Sequence, residues 1–448
     1  MRDIALLLLL VACCLWTLRT PWVGAITWTV VSLGSPHAAF GYAAADWPVA
    51  TAVAVCTLGG ILLTTDRDNP FAGPAPLAVL ALMIWFCITL PFSFDLDLSL
   101  PLWERSMKIF LMLFVTMALL TTRKKLNVFI WSMVISIGYF GVKGGLFTLA
   151  TGGNYRIWGP GGFIGGNNEL ALALVMTIPM MRYLQLQSPS KWIRRGLVCA
   201  MALTAIAAIG TYSRGALLGM AGMLLFFVWR SDRKLVWSTA IVLFAVLLLP
   251  LMPDTWWERM DTIRTYGEDQ SAQGRLTAWS MAWNLAQDRL MGGGFMVALP
   301  FVYAIYAPAA TTSLVAHSIY FQIMGEHGFI GLFLFLLVGV LTWLDAAKLR
   351  RTCAGNADLK WAADLGSMMQ VSMIGFAVTG AFLSMAYFDL PYNVMAASAL
   401  ALRIASREAA KGLAAHEAAS SRSPQSEPTP DGGRYGGAAA RDSASVRP

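Results

Sequence analysis

Charged residues are scarce in this sequence. They make up 13% of the 448 residues, whereas hydrophobic residues make up 57%, and a soluble globular domain usually carries about 25% charged residues. Long apolar runs recur from residue 4 to about residue 405, and runs of about 18 or more apolar residues are typical of membrane spans. The composition therefore excludes an ordinary soluble domain and predicts an all-α, polytopic transmembrane helical bundle of about 12 spans.

Residues that bind metals are few as well. The chain has six cysteines and four histidines, and five of the cysteines lie inside apolar runs, where they are expected to be small buried hydrophobic residues. The sequence contains no HExxH or DxD motif and no carboxylate cluster suited to a divalent cation. We therefore predict a metal-independent protein without a cofactor. The net charge of +8 is not gathered into a basic patch with interleaved aromatic residues, so no nucleic-acid partner is expected.

The apolar segments and the basic residues between them predict the topology. The segments lie near residues 4–18, 22–34, 48–64, 75–92, 106–121, 125–141, 168–184, 195–211, 214–229, 234–252, 317–343, 366–387 and 391–405. Basic clusters occur in alternate loops, at Arg123–Lys125, Lys191–Arg195, Arg230–Lys234 and Lys348–Arg351. The positive-inside rule assigns these loops to the cytoplasm of a bacterial inner membrane. The intervening loops are then periplasmic, namely 92–105, 142–167, 212–214 and 253–316.

Two units are expected along the chain. Residues 1–410 are predicted to form the transmembrane domain, with residues 253–316 as its one large periplasmic loop. Residues 411–448 are rich in Ala, Ser, Gly, Pro and charge. Because such a segment cannot bury a core, it is predicted to be a disordered cytoplasmic tail.

Tryptophans mark the large periplasmic loop. Residues 275–288 place Trp279 and Trp283 at helical spacing with small apolar residues, which predicts an amphipathic helix lying on the membrane surface. Trp256 and Trp257 are expected to anchor the start of the loop at the lipid headgroups. Interfacial anchoring without a substrate role is the favoured interpretation of these tryptophans.

Three ionisable residues lie where the large loop enters a span. His317 is expected at the outer boundary, where a histidine can serve as a base near neutral pH or simply cap a helix. Glu326 and His327 are expected deeper in the same helix. Glu326 is about 180° around this helix from His317, so these two residues cannot form a simple dyad on one face. An ionisable residue inside a span is a functional candidate, and a structural polar cluster between helices is the alternative.

Two arginines follow residues that favour a helix start. Ser213 is a suitable N-cap for a helix beginning at Arg214, and Arg275 is expected at the start of the surface helix. A helix N-terminus and a guanidinium group both favour an anion, particularly a phosphate. Contact with lipid headgroups is the alternative for a single arginine, but two such arginines and a boundary histidine predict a pyrophosphate site at the outer surface.

The 142–167 loop adds weaker candidates. It contains Lys143 and Arg156 among several glycine pairs, and Asn168 lies where the next span begins. No strand precedes these glycines, so nucleotide binding is a weak interpretation. The glycines more simply allow the backbone to fold close to the membrane beneath a substrate.

At these residues the chain resembles the O-antigen ligase superfamily, and most closely the O-glycosylation ligases associated with exosortase A systems. The resemblance covers Met1 to about Arg351. It depends on the order and spacing of four short segments, Tyr139–Gly145, Gly210–Leu217, Glu258–Ile263 and Ala316–Tyr320.

The resemblance implies a membrane enzyme with about 12 spans that transfers a glycan from undecaprenyl diphosphate to an acceptor, with inversion and without a metal. It implies His317 as the base and Arg214 and Arg275 as diphosphate-binding residues. Lys143, Arg156, Asn168 and Glu326 are weaker candidates for substrate binding. The expected partners are the lipid-linked glycan donor, a periplasmic acceptor of unknown class (protein, lipid or polysaccharide) and membrane lipids.

Three other functions remain open at this point. A polysaccharide polymerase of the same superfamily would use the same donor but a second lipid-linked glycan as acceptor. A transporter of lipid-linked sugars would show mid-membrane charges and inverted repeats, and no clear internal repeat is visible. A scaffold of an envelope complex would need none of the candidate residues.

Overall fold

The computed structural model describes residues 2–40, 47–248, 250, 252–261 and 270–422. Within these ranges the secondary structure is helical and no strand occurs. The helices are α1 (Arg2–Arg19), α2 (Pro21–Gly34), α3 (Pro36–Phe40), α4 (Val49–Leu63), α5 (Pro74–Thr89), α6 (Leu96–Leu119), α7 (Arg123–Ala150), α8 (Asn167–Gln187), α9 (Lys191–Gly210), α10 (Arg214–Arg230), α11 (Lys234–Leu248), α12 (Asp254–Asp261), α13 (Gln270–Asp288), α14 (Pro300–Tyr306), α15 (Ile319–Cys353), α16 (Lys360–Gly380) and α17 (Asp389–Arg422). Two short 3₁₀ turns lie at Leu90–Phe92 and Gly162–Ile164.

Length and apolar composition qualify five of the described helices as membrane spans. They are Pro74–Phe92, Arg123–Ala150, Asn167–Gln187, Lys191–Gly210 and Ile319–Cys353. Helices α4 and α11 are apolar but shorter. The chain therefore has the character of a membrane protein, while the expected total of about 12 spans stays a prediction.

The chain divides into two units, Met1–Ser406 and Arg407–Pro448. The first unit contains every candidate residue. In the second unit the described residues, 407–422, are helical, so helix covers the beginning of the segment that was expected to be disordered. Residues 423–448 of the predicted tail lie outside the described residues.

Helix α7 packs closely against α9 because its glycines lack side chains. A Cβ on Gly145 would collide with the backbone of Leu203, and one on Gly141 would collide with Thr204. Small residues allow such close approach between membrane helices. This packing corrects the expected loop boundary, since α7 continues to Ala150 and the following loop covers only residues 151–166.

Helix α15 is broken in its interior. Gly328 has a φ of 69° and a ψ of −173°, a conformation that is essentially restricted to glycine. The carbonyl groups of Gly325 and Glu326 accept hydrogen bonds from the backbone N–H groups of Gly293 and Gly294 over 3.0 and 2.8 Å. The segment before α14 thus supplies hydrogen-bond donors to carbonyl groups at the break in the helix. Carbonyl groups without a donor would be costly in a lipid environment.

The helix ends separate the basic clusters from the candidate residues. Helices α7 and α9 begin at basic clusters, at Arg123 and Lys191, and end close to the loop 151–166. Helices α10 and α15 run the other way, beginning at or just after candidate residues and ending at Arg230 and in a turn with Arg350. The candidate site and the basic clusters therefore lie at opposite ends of the same helices.

Candidate active site

His317 lies in an extended segment that leads into α15, and several contacts fix this segment. Its φ of 45° is left-handed, which costs a residue with a Cβ about 1–2 kcal/mol. The indole N–H of Trp279 donates to the carbonyl oxygen of Ala316 over 2.7 Å, and the hydroxyl of Tyr303 donates to that of Leu314 over 2.5 Å. The imidazole is thereby held, half-buried, at the wall of a cavity.

Arg275 lies within electrostatic range of His317. Burial lowers the pKa of His317 below its usual range, and the positive charge of Arg275 lowers it further. Gly274 packs against Leu314, which brings the two segments together. The prediction that Arg275 begins a helix is wrong, because α13 begins at Gln270. The N-terminus of α13 therefore does not coincide with the position of Arg275.

Helix α13 packs against protein along much of the face that was expected to meet lipid. Ala282 and Ala286 of that face are buried against α15, whereas Trp283 stays 47% exposed. The ring of Trp279 stacks on Phe321 of α15, with centroids 4.8 Å apart and planes 4° from parallel. These contacts support the position of the His317 segment.

The headgroup anchoring expected for Trp256 is wrong, whereas Trp257 remains 40% exposed. Trp256 is only 3% exposed, and its indole N–H donates to the carbonyl oxygen of Ile209 over 3.2 Å. It therefore joins the start of α12 to the end of α9.

Arg214 is the first residue of α10, as the sequence predicted. The hydroxyl of Ser213 accepts a hydrogen bond from the backbone N–H of Ala216 over 3.3 Å, so Ser213 is the N-cap. The preceding Tyr212 has a φ of 62°, which produces the tight turn between α9 and α10. A half-buried guanidinium and a helix N-terminus thus lie together, an arrangement that favours an anion.

The loop 151–166 is docked on this same turn. The backbone N–H of Ile157 donates to Gly210 over 3.1 Å, and the hydroxyl of Tyr212 donates to the carbonyl oxygen of Gly153 over 2.5 Å. The guanidinium of Arg156 lies 5.6 Å from the centre of the Tyr212 ring. The structure therefore brings Arg156 next to the Tyr212–Arg214 turn.

The end of α16 connects the Arg214 turn with the His317 segment. A Cβ on Gly215 would lie 3.2 Å from the Cβ of Phe382, and a Cβ on Gly380 would lie 2.7 Å from Ile319. Gly215 follows Arg214, and Ile319 is two residues after His317. Both candidate residues are thus close to one short stretch of chain, 380–382.

Of the candidate residues, His317 and Glu326 line the cavity, whereas Arg214, Arg275, Arg156, Lys143 and Asn168 are not among its lining residues. Lys143 is exposed on α7, seven residues before the helix ends, so it is not part of the loop in which it was expected. Asn168 lies in the first turn of α8, as expected, but its neighbour Glu169 lines the cavity instead.

A cavity of about 320 Å³ lies between the His317 segment, α6, α8 and the link between α16 and α17. This volume is at the lower end of the range for small-molecule sites. Its polar lining side chains are Glu169, His317, Gln322, Glu326, Ser384 and Tyr387. His317 and Glu326 share the cavity although they were expected on opposite faces of one helix, because His317 lies outside α15.

Glu326 is fixed in a buried hydrogen-bond network. One carboxylate oxygen accepts from the backbone N–H of Met296 over 3.2 Å, and the other accepts from the hydroxyl of Tyr387. The side chain of Gln322 also lies next to this carboxylate. The backbone N–H of Ala386 donates to the amide oxygen of Gln322 over 3.2 Å, so the amide nitrogen is the group that faces Glu326.

His327 lies behind Glu326 in this network. Its Nε2 is 2.7 Å from the hydroxyl of Tyr387, and its Nδ1 is 2.7 Å from the hydroxyl of Thr89. Phe86 stacks on the imidazole with centroids 4.1 Å apart. Because Tyr387 donates its single proton to Glu326, His327 must donate to Tyr387 from Nε2 and accept from Thr89 at Nδ1. His327 therefore belongs to a polar cluster between helices, one of the two alternatives that the sequence left open.

Sequence reasoning missed Tyr387, Ser384 and Gln322. Ser384 and Tyr387 lie in the short link between α16 and α17, whereas the apolar pattern placed both residues inside the predicted span 366–387. A serine and a tyrosine followed by Asp389 in such a link were the available signal.

Among the described residues, no group of three His, Cys, Asp or Glu side chains is arranged to hold a metal; metal independence remains a prediction.

A comparison of this chain with protein families identifies a similarity in its central part. Residues 199–336 match the family model described as O-antigen ligase. The matched stretch includes Arg214, Arg275, His317 and Glu326. This similarity supports the O-antigen ligase superfamily and indicates a glycan-transfer enzyme of the membrane.

The N-terminal half gives a different result. Residues 1–189 match a family of unknown function, DUF5935, and this stretch includes Arg156 and Asn168. No curated protein matches the chain.

Proposed function

We propose that this protein transfers a glycan from undecaprenyl diphosphate to an acceptor hydroxyl at the periplasmic face of the bacterial inner membrane. The observation that carries the proposal is the location of His317 in a cavity wall within electrostatic range of Arg275. The O-antigen ligase match over the same residues supports it. The closer kinship with exosortase-associated O-glycosylation ligases is part of the proposal and depends on the four sequence segments alone.

In this mechanism His317 accepts the proton of the acceptor hydroxyl as its oxygen attacks the anomeric carbon. The new bond joins that carbon to the acceptor oxygen, while the bond between the carbon and the diphosphate oxygen breaks. Undecaprenyl diphosphate leaves with the bonding electron pair, and attack from the opposite side inverts the anomeric centre. Such a leaving group needs positive charge more than an acid.

Arginines supply this positive charge in the proposal. Arg275 acts through its guanidinium, and Arg214 acts with the N-terminus of α10 behind it. Arg156 adds a further cation beside the Arg214 turn. Holding donor and acceptor in this geometry would provide much of the remaining rate enhancement.

The orientation follows from the two ends of the helices. The basic clusters at Arg123, Lys191 and Arg230 lie at the ends of α7, α9 and α10 that are remote from the cavity. The positive-inside rule assigns basic ends to the cytoplasm. The cavity is then periplasmic, where an acceptor protein, lipid or polysaccharide can reach it.

Replacing His317 tests the base assignment. His317→Ala is expected to reduce transfer about 10²–10⁴-fold, the usual contribution of a general base. The measurement is product mass after reconstitution of purified protein in liposomes with a polyprenyl diphosphate glycan and candidate acceptors. His37→Ala is the matched control, because His37 is also a half-buried histidine but does not line the cavity. Full transfer by His317→Ala would refute the proposal.

A further inference from the structure

The cavity has two chemically different ends. His317 lies at the end where α15 begins, within range of Arg275. Glu326 lies seven residues into α15, about 10 Å further at 1.5 Å per residue. A diphosphate bound near His317 and Arg275 would leave the Glu326 end for the group attached to it.

The wall around Glu326 presents hydrogen-bonding groups that suit hydroxyls. A carboxylate has about four acceptor positions, and Met296 and Tyr387 occupy two of those of Glu326, with Gln322 next to it. At least one position therefore remains for a ligand in the cavity that Glu326 lines.

Ser384 is an independent sign of a missing partner at this wall. Its hydroxyl oxygen is buried and makes no hydrogen bond within the described part of the chain, and the residue lines the same cavity. Buried hydroxyl groups are usually satisfied. A polar ligand in the cavity would supply the partner.

Aromatic rings complete the wall. Phe163 and Phe321 both line the cavity. The guanidinium of Arg105 lies 3.6 Å from the centre of the Phe163 ring, and Trp279 stacks on Phe321, so neighbouring side chains hold both rings. Apolar rings combined with a few fixed polar groups are typical of a pocket for a small organic group.

We propose that this wall is a monosaccharide subsite that binds the sugar attached to the diphosphate of the donor. Glu326 accepts a hydrogen bond from a hydroxyl of that sugar, and charge-assisted hydrogen bonds of this kind are strong. Tyr387, with His327 and Thr89 behind it, is a positioning residue that orients the carboxylate. The inference rests on the proposed function, because a diphosphate held near His317 and Arg275 determines which sugar reaches Glu326.

The test compares two lipids that differ only by the glycan. The probes are undecaprenyl diphosphate and the polyprenyl diphosphate glycan extracted from the source bacterium, and their affinities are measured with the full-length protein in nanodiscs. Glu326→Gln is expected to weaken binding of the glycan-bearing lipid at least tenfold and to leave binding of undecaprenyl diphosphate unchanged. Asp345→Asn is the matched control, a buried carboxylate on the same helix away from the cavity, and should change neither affinity.

A second variant separates positioning from direct contact. Tyr387→Phe keeps the ring but removes the hydroxyl that donates to Glu326. It should weaken binding of the glycan-bearing lipid but not binding of undecaprenyl diphosphate, and the effect should be smaller than that of Glu326→Gln. It also provides the comparison if Glu326→Gln does not fold. If the variants weakened binding of both lipids equally, or changed the binding of neither lipid, the proposed subsite would be wrong. Failure of the proposed function would be recognised separately, by full transfer in His317→Ala.

Discussion

At the scale of single residues, the environment of His317 suits a base. A general base must be unprotonated before it can accept a proton, and burial together with the nearby Arg275 lowers the pKa of His317. The neutral imidazole therefore persists to lower pH than it would in water. The same arginine that is proposed to bind the diphosphate also keeps the base available.

This double role of Arg275 predicts a change in the pH profile. Removing its charge in Arg275→Gln raises the pKa of His317, so the neutral form is lost at a higher pH as the solution is acidified. The acidic limb of kcat/KM should move to higher pH, and the maximum should fall about 10²-fold, as for loss of one transition-state donor. Transfer rates measured across pH 4–8 give both values.

Arg275→Lys is the control for this profile, because it keeps the charge and loses the planar, bidentate guanidinium. Its acidic limb should stay near that of the natural protein even if its rate falls. An unchanged limb in Arg275→Gln would contradict the electrostatic coupling between the two residues.

Single residues could be predicted from the sequence only where local rules apply. Ser213 and Arg214 were found correctly because capping depends on neighbouring residues. The partnership of Glu326 with Tyr387 was not foreseeable, because the two residues are 61 positions apart and only packing of α15 against the α16–α17 link brings them together.

At the scale of elements, the break in α15 positions the part of the site around Glu326. The segment before α14 donates backbone hydrogen bonds to the carbonyls of Gly325 and Glu326. The indole N–H of Trp85 donates to the carbonyl of His327 over 2.9 Å. Three consecutive carbonyls of a helix are thus bound from outside, which fixes the residues that carry the Glu326 network.

Gly328→Ala should therefore destabilise the protein. Its φ of 69° disfavours any residue with a Cβ, and that Cβ would meet the carbonyl group of Leu290, so a cost of about 1–3 kcal/mol is expected. The readout is the apparent melting temperature of the protein in detergent, together with its transfer activity.

Gly339→Ala on the same helix is the control, because no atom lies within 4 Å of the Cβ it would add. Alanine is favoured over glycine in a helix interior, so this variant should be neutral or slightly stabilising. If both variants melted at the same temperature as the natural protein, the break would not require glycine.

The elements themselves were predictable where hydropathy governs them and not where packing does. The apolar runs located α5, α8, α9 and α15 approximately. The glycines of α7 were assigned to a loop, because a sequence does not reveal that α9 approaches closely enough to need them. The break at Gly328 was missed for a related reason, since its donors come from a distant segment.

At the scale of the whole molecule, the helices set the site at one end and the basic clusters at the other. The loop 151–166 is hydrogen-bonded to the α9–α10 turn at the candidate end. Arg351 lies in the last turn of α15, at the opposite end. The proposed function requires the first end to face the periplasm, where the acceptor is exposed.

Cysteine labelling in intact cells tests this orientation. In a background without the six natural cysteines, Tyr155→Cys is expected to react with a membrane-impermeant maleimide, and Arg351→Cys is expected to react only after the cells are lysed. Both side chains are exposed, so neither result reflects burial, and labelling of lysed membranes confirms that each thiol is reactive. The reverse pattern would place the cavity in the cytoplasm and remove the periplasmic acceptor from its reach, because the helices that join the two ends cannot be inverted separately.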